Sequence, residues 1–151
     1  MIAVASKMED LTIDIREEIY VRAPLDVTFE SLLEQLGPLN EVDNDRAMPM
    51  KLEAWPGGRW FRDLGEGNGH FWGTVQAIKR PTLLEICGPL FMSTPATSNL
   101  QYRLKEEKGG TLITFHHWSF GIILEEYRNA KQGWAHTHAL MVKRAEAGRP
   151  Y

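Results

Sequence analysis

Residues 110–121, GTLITFHHWSFG, alternate in the manner of a β-strand, and the pattern of apolar residues changes directly after them. The period of two places Ile113, Phe115 and His117 on one face of the strand and Trp118 on the other. Beyond the strand, apolar residues recur with the period of an α-helix for roughly 20 residues. A long strand followed by a long helix decides the fold, and it raises the question of why two adjacent histidines occupy the strand.

The predicted C-terminal helix, residues 122–147, has a single apolar face. Its members are Ile123, Tyr127, Ala130, Trp134, Thr137, His138, Met141 and Ala145. Helices of globular proteins bury such a face against the rest of the fold. We therefore expect Trp134 and His138 to point into the interior.

Another strand is predicted near the start of the chain, at residues 12–21, TIDIREEIYV. Alternation places its three isoleucines and Val21 on one face, and Glu17 shares that face. The strand therefore carries one acidic side chain among residues that are expected to face inward.

Short helices and hairpins are predicted between these two ends. Residues 24–46 are expected to form one or two short helices, because an apolar stripe with helical spacing ends at Gly37-Pro38 and the polar residues after it favour a second helix only weakly. Residues 50–119 are expected to form an antiparallel meander, since turn signals recur at hairpin spacing. These signals are Gly57-Gly58, Gly65 to Gly69, Lys79 to Pro81, Gly88-Pro89 and Gly109-Gly110.

The order of the elements predicts an α+β protein. A curved antiparallel sheet of six or seven strands would wrap around the long C-terminal helix and leave a cavity between helix and sheet. A length of 151 residues is typical of one domain, and no repeat or linker interrupts it, so we expect residues 1–151 to form a single domain. Residues 1–10 are expected to be disordered.

The composition argues against several classes of partner. The 20 acidic and 17 basic residues form no block of like charge, so neither nucleic acid nor an anionic membrane is an expected partner. No apolar run has the length of a membrane span. The single cysteine, Cys87, excludes an internal disulfide and fits a reducing cytoplasm, where we expect the protein to be located.

Five motifs follow one another along the chain: VRAPLDVTFESL at 21–32, WPGGRW at 55–60, WGTVQAIKRPTLLEI at 72–86, GGTLITFHH at 109–117 and GWAHTHALM at 133–141. The series resembles the START/Bet v 1-like (SRPBCC) superfamily, and within it the branch related to the activator of the Hsp90 ATPase. This resemblance covers nearly the whole chain and implies the helix-grip fold. Members of the superfamily include carriers of hydrophobic ligands and lipids as well as polyketide cyclases and aromatases, so the resemblance implies no single activity. Relatives in this branch usually carry an apolar residue such as leucine where this chain has His138.

Three inward-facing polar residues are the candidates for catalysis: His117, His138 and Glu17. The first and last strands are neighbours in this fold, which allows a contact between Glu17 and His117, and all three side chains are expected to enter one cavity. A carboxylate beside an imidazole in an apolar site can tune the imidazole for proton transfer. The alternative is that each histidine is a hydrogen-bonded core residue.

Aromatic residues are plentiful enough to line a ligand cavity, and Trp134 is the leading candidate for its wall. The full set predicted to bind a ligand is Trp60, Phe71, Tyr102, Phe115, His117, Tyr127, Trp134, His138 and Met141. Residues 88–98 are either a flap over the cavity mouth or a loop packed on the sheet edge. No metal is expected, because His136 and His138 diverge on a helix, and no bound cofactor is expected.

Three functions remain open on the sequence. The first is binding of a small hydrophobic or aromatic molecule, which the protein would carry, sense or sequester. The second is a cofactor-independent polyketide cyclase, aromatase or hydrolase with His117 or His138 as base and Glu17 as its orienting group or as the acid. The third, implied by the branch alone, is a module that acts on a chaperone. A homodimer through the sheet edge or Trp118 is compatible with each of them.

Overall fold

The computed structural model describes residues 7–42 and 46–148, and nine strands form within them. They are β1 Thr12–Val21, β2 Glu41–Val42, β3 Arg46–Ala47, β4 Lys51–Leu52, β5 Arg59–Gly65, β6 Asn68–Lys79, β7 Leu83–Gly88, β8 Ala96–Glu107 and β9 Gly110–Gly121. Seven of these strands form one antiparallel sheet in the order β1-β9-β8-β7-β6-β5-β4, and β2 pairs with β3 in a separate hairpin. The first and last strands are therefore neighbours, as the fold requires.

Two α-helices cover the sheet, α1 at Leu25–Leu36 and α2 at Ala130–Glu146. Phe29, Leu32 and Leu36 of α1 are completely buried, and Leu33 is half-buried. Helix α2 packs against both α1 and β1. Arg144 of α2 donates a hydrogen bond of 2.5 Å to the side-chain oxygen of Gln35, which fixes one helix against the other. The prediction of an α+β fold with six or seven strands around a long C-terminal helix is confirmed. No helix in the described part of the chain is long and apolar enough to cross a membrane.

The core lies between the inner face of the sheet and the two helices. Large apolar side chains on the inner face are fully buried, among them Leu84, Ile86, Leu100 and Ile113. The same face of β9 carries His117, while Trp118 on the opposite face is 39% exposed. The alternation of β9 therefore runs as its sequence predicts.

The segment after α1 forms the β2–β3 hairpin instead of a second helix. The amide of Met48 donates to the carbonyl of Asn40 at 2.9 Å, and the Asn40 side chain donates back to the carbonyl of Met48 at 3.1 Å. These two hydrogen bonds hold the segment in an extended conformation. Asparagine and aspartate are common in this segment, and both residues favour turns over helix interiors.

Helix α2 begins at Ala130 and not at residue 122, because the segment before it is held in another conformation. The amide of Ile122 donates to the carbonyl of Pro95 at 3.0 Å, and the Thr94 hydroxyl donates to the carbonyl of Ile122 at 2.8 Å. Two adjacent β-branched isoleucines also lower the helix propensity of this segment. A 3₁₀ turn at Glu125–Asn129 then leads into α2.

The N-terminal segment is more ordered than its sequence predicts. Met8–Leu11 form a 3₁₀ turn, and the Arg128 guanidinium donates to the carbonyl of Asp10 at 2.7 Å and to that of Thr12 at 3.4 Å. These contacts connect the N-terminal turn to the 3₁₀ turn that precedes α2. Residues 1–6, for which disorder was also predicted, lie outside the described residues.

Candidate functional site

A cavity of about 350 Å³ lies between α2, the β2–β3 hairpin and the sheet. Four aromatic rings form much of its wall: Trp60 of β5, Trp72 of β6, Phe91 and Trp134 of α2. The remaining lining residues are Asn40, Glu41, Val42, Met48, Ala130, Gly133, His136 and Thr137. The site is a concave, mainly apolar space with a few polar groups at its edge.

Each of the four rings packs against the next one around the cavity wall. Trp60 and Trp72 meet edge to face with their centroids 5.0 Å apart, and Trp72 meets Phe91 in the same way at 5.8 Å. Phe91 in turn lies 6.3 Å from Trp134 at an interplanar angle of 57°. Edge-to-face contacts are the favoured arrangement of aromatic pairs, so the rings support each other and the wall is preformed.

A β-bulge brings Trp72 into the wall. Trp60 lies opposite Gly73 and Phe61 lies opposite Phe71, so that Trp72 is the extra residue between two paired positions. A bulge re-aims side chains because the period of two is broken there. Phe71, which the sequence predicts as a ligand contact, is therefore 46% exposed on the other side of the sheet and does not line the cavity.

The indole N–H groups of all three cavity tryptophans donate hydrogen bonds inside the protein. The bonds run from Trp60 to the carbonyl of Leu36 at 2.7 Å, from Trp72 to Nδ1 of His70 at 3.1 Å, and from Trp134 to Nδ1 of His117 at 2.9 Å. Buried tryptophans normally find such a partner. The rings consequently offer the cavity their carbon surfaces and no donor.

His117 is completely buried and belongs to a polar network behind Trp134. Its Nδ1 accepts the indole proton, so the imidazole proton lies on Nε2, which donates to the Ser119 hydroxyl at 2.8 Å. Ser119 is linked to the hydroxyl of Ser98 at 2.6 Å. Burial, with a smaller contribution from the charge of His116, lowers the pKa of His117 to about 4. His117 is therefore a neutral imidazole with both nitrogens engaged at neutral pH.

Glu17, His138 and Tyr102 form a second network, in which His138 and Tyr102 are buried and Glu17 is half-buried. A carboxylate oxygen of Glu17 accepts a short hydrogen bond from Nδ1 of His138, and the Tyr102 hydroxyl lies 2.9 Å from Nε2. Burial lowers the pKa of His138, and the hydrogen bond and charge of Glu17 oppose this shift only in part. Burial also raises the pKa of Tyr102 well above its usual value. At neutral pH His138 is therefore a neutral imidazole and Tyr102 a neutral phenol.

The predicted contact between Glu17 and His117 does not form. The pairing of β1 with β9 places Ile15 opposite His117 and Glu17 opposite Phe115. Glu17 instead forms its hydrogen bond with His138 of α2. In the described residues, no three histidine, cysteine, aspartate or glutamate side chains group in a way that would hold a metal ion.

The prediction that Glu17, His117 and His138 share the ligand cavity is also not met, since none of them lines it. Trp134 separates the two histidines from the cavity, with ring centroids 5.8 Å from each, and it stacks on His138 at 14°. Of the predicted ligand contacts, Trp60 and Trp134 line the cavity. Tyr102, Phe115 and Met141 are fully buried in the adjoining core, and the half-buried Tyr127 packs on Phe91.

The segment 88–98 packs against the sheet and contributes Phe91 to the wall. Leu90 and Met92 on either side of Phe91 are buried, and the amide of Leu90 donates to the carbonyl of Trp72 at 2.8 Å. This placement favours the packed loop over the flap. Phe91, Trp72 and the β2–β3 hairpin are parts of the site that the predicted ligand contacts do not include. The signal at Phe91 is an aromatic residue in a loop of small residues and prolines.

A curved antiparallel sheet, a long C-terminal helix and a cavity between them define the Bet v 1-like, helix-grip class of proteins. The chain belongs within this class to the family of the activator of Hsp90 ATPase homolog 1-like proteins, whose family model matches residues 45–146. No curated protein sequence matches the chain significantly.

Solved structures support the fold assignment. An uncharacterised protein from Rhizobium leguminosarum superposes with a TM-score of 0.70 at 17% identity, over 91% of this chain and 96% of that one. Ara h 8.0201 gives 0.65 at 15% identity, over 91% and 99%. The di-domain aromatase/cyclase StfQ of the steffimycin biosynthetic pathway gives 0.64 at 11% identity, over 93% of this chain and 52% of that one. At such identities the likeness concerns the fold alone.

Proposed function

We propose that the protein binds a small apolar or aromatic molecule in the cavity under α2, and that it carries, senses or sequesters this molecule. The observation that supports the proposal is the preformed wall of four aromatic rings around about 350 Å³. Ligand sites of roughly 300–1,000 Å³ with mainly apolar linings are the usual form of small-molecule sites.

Catalysis by the predicted residues is less favoured by the geometry. A general base needs a lone pair within reach of the substrate, and both nitrogens of His117 and of His138 are engaged in bonds within the protein. Neither residue lines the cavity. A chaperone-interaction role has only the family description in its favour.

Gly133 offers a way to close the cavity without disturbing the fold. It lies in α2 at the cavity edge, and a side chain there would meet no other atom within 4 Å of its Cβ. We expect Gly133→Leu to lower the affinity for a neutral aromatic probe, 1-naphthylmethanol, about tenfold or more, since the leucine occupies ligand space. Removing a helical glycine also raises stability by up to ~1 kcal/mol. Calorimetric titration and urea denaturation measure the two effects.

The matched control is Ala135→Leu, which introduces the same side chain on the exposed side of α2, two residues away. Its affinity for the probe is expected to equal that of the wild type. Equal binding by Gly133→Leu and wild type would mean that the probe binds elsewhere, and absence of binding to the wild type would overturn the proposed function.

A further inference from the structure

The polar groups of the cavity are unequally divided between hydrogen-bond donors and acceptors. The three indole donors are used inside the protein, and the Asn40 side-chain amide donates to the carbonyl of Met48. The lining contains no lysine or arginine among the described residues. The Thr137 hydroxyl is the donor that remains in this lining, and a fatty acid carboxylate would meet no cationic side chain in the described part of it.

The lining does contain a carboxylate. Glu41 lies on β2 at the cavity and is half-buried. In the part of the chain that the structure describes, its side chain makes no ion pair and no hydrogen bond. A carboxylate at the edge of an apolar cavity favours a cation and repels an anion, and the low local dielectric strengthens both effects.

The aromatic wall adds to this preference. Because adjacent rings lie in planes 78° and 74° apart, the cavity is bounded by ring faces as well as ring edges. Ring faces of tryptophan and phenylalanine attract cations through the negative charge density of the π-system, and tryptophan does so most strongly. The aromatic wall and Glu41 thus both favour a positively charged ligand.

His136 supplies a further polar atom in the same lining. Its Nε2 is buried and has no hydrogen-bond partner among residues 7–42 and 46–148. Buried polar atoms are nearly always paired in proteins, so an unpaired nitrogen in a ligand cavity indicates a place for a polar group of the ligand. An imidazole nitrogen can accept a hydrogen bond from an N–H group.

We propose that the cavity selects a protonated amine carried on a ring-sized apolar body. This inference rests on the proposed function and names the ligand class of the same cavity. The apolar body lies against the four rings, and the ammonium group lies at the polar edge, where Glu41 balances its charge and His136 can accept one of its hydrogen bonds.

Three probes of nearly equal shape test the charge preference: 1-naphthylmethylamine, 1-naphthylmethanol and 1-naphthoate, which carry a positive charge, no charge and a negative charge. Calorimetric titration of the full chain at low ionic strength is expected to give about tenfold tighter binding of the amine than of the alcohol, and the weakest binding for the carboxylate. Glu41→Gln should lower the affinity for the amine about fivefold or more and leave that for the alcohol within twofold.

The control is Glu106→Gln, which removes the same charge from an exposed position near the end of β8. Glu106 does not line the cavity. It should bind all three probes as the wild type does. Equal affinities for the three probes, tighter binding of the carboxylate, or an amine affinity that is unchanged in Glu41→Gln would each overturn the inference while the cavity remains a binding site. Failure of all three probes to bind would overturn the proposed function itself.

Discussion

Replacement of Trp134 by alanine is expected to lower the free energy of unfolding by roughly 3–5 kcal/mol, the usual cost of truncating a large buried aromatic residue. The indole is 6% exposed and packs on Phe91, Phe115 and His138. Its removal also leaves Nδ1 of His117 without its hydrogen bond, which adds a desolvation cost. Urea denaturation at neutral pH measures the effect.

Trp55→Ala is the matched control, because the Trp55 side chain is 57% exposed and its truncation is expected to change stability by no more than ~0.5 kcal/mol. Trp134→Phe separates packing from hydrogen bonding, since it retains a ring against Phe115 and lacks the donor. A loss below ~1 kcal/mol for Trp134→Ala would show that the indole does not join the cavity wall to the core. Trp134→Ala should also bind 1-naphthylmethanol more weakly, because one ring of the cavity wall is missing.

Much of this architecture is predictable from residue periodicity. The alternation in β9 places His117 inward and Trp118 outward, and the helical period places Trp134 and His138 on the buried face of α2. Both patterns hold because burial of one face is the dominant constraint on a strand or helix at the edge of a core. The sequence also predicts that Glu17 faces inward, and its half-buried carboxylate is hydrogen-bonded to the buried His138.

The partners of these residues are not predictable in the same way. Alternation allows Glu17 to meet a side chain of β9 or of α2, and only the register of β1 against β9 decides between His117 and His138. A one-residue bulge in β6 is equally hard to predict. Strict alternation from the inward-facing Val75 places Phe71 inward, whereas in the structure Trp72 lines the cavity and Phe71 does not. Register and bulges are set by contacts between distant segments, which a single strand pattern does not contain.

Acidification from pH 6.5 to pH 4 is expected to destabilise the protein through His117. The pKa of His117 is lowered to about 4 in the folded state by burial and, to a smaller extent, by the charge of His116, whereas an unfolded histidine has a pKa of 6.5. Between these two values the unfolded chain binds a proton that the folded chain does not, so the free energy of unfolding falls as the pH falls. The shift corresponds to about 3 kcal/mol, lost mostly between pH 6.5 and pH 4.

The burial of His138 acts in the same direction, because its pKa is also lowered despite the carboxylate of Glu17. The contribution of His117 is isolated by His117→Asn, whose side-chain oxygen can still accept the Trp134 indole proton but does not titrate. This variant loses the bond to Ser119 and is expected to be less stable than the wild type at pH 7 by ~1–3 kcal/mol. Because only the wild type loses the His117 contribution on acidification, the difference between the two stabilities, measured by urea denaturation, should shrink as the pH falls from 7 and should vanish or reverse by pH 4. A difference that stays constant from pH 7 to pH 4 would show that His117 is protonated in the folded state as readily as in the unfolded chain.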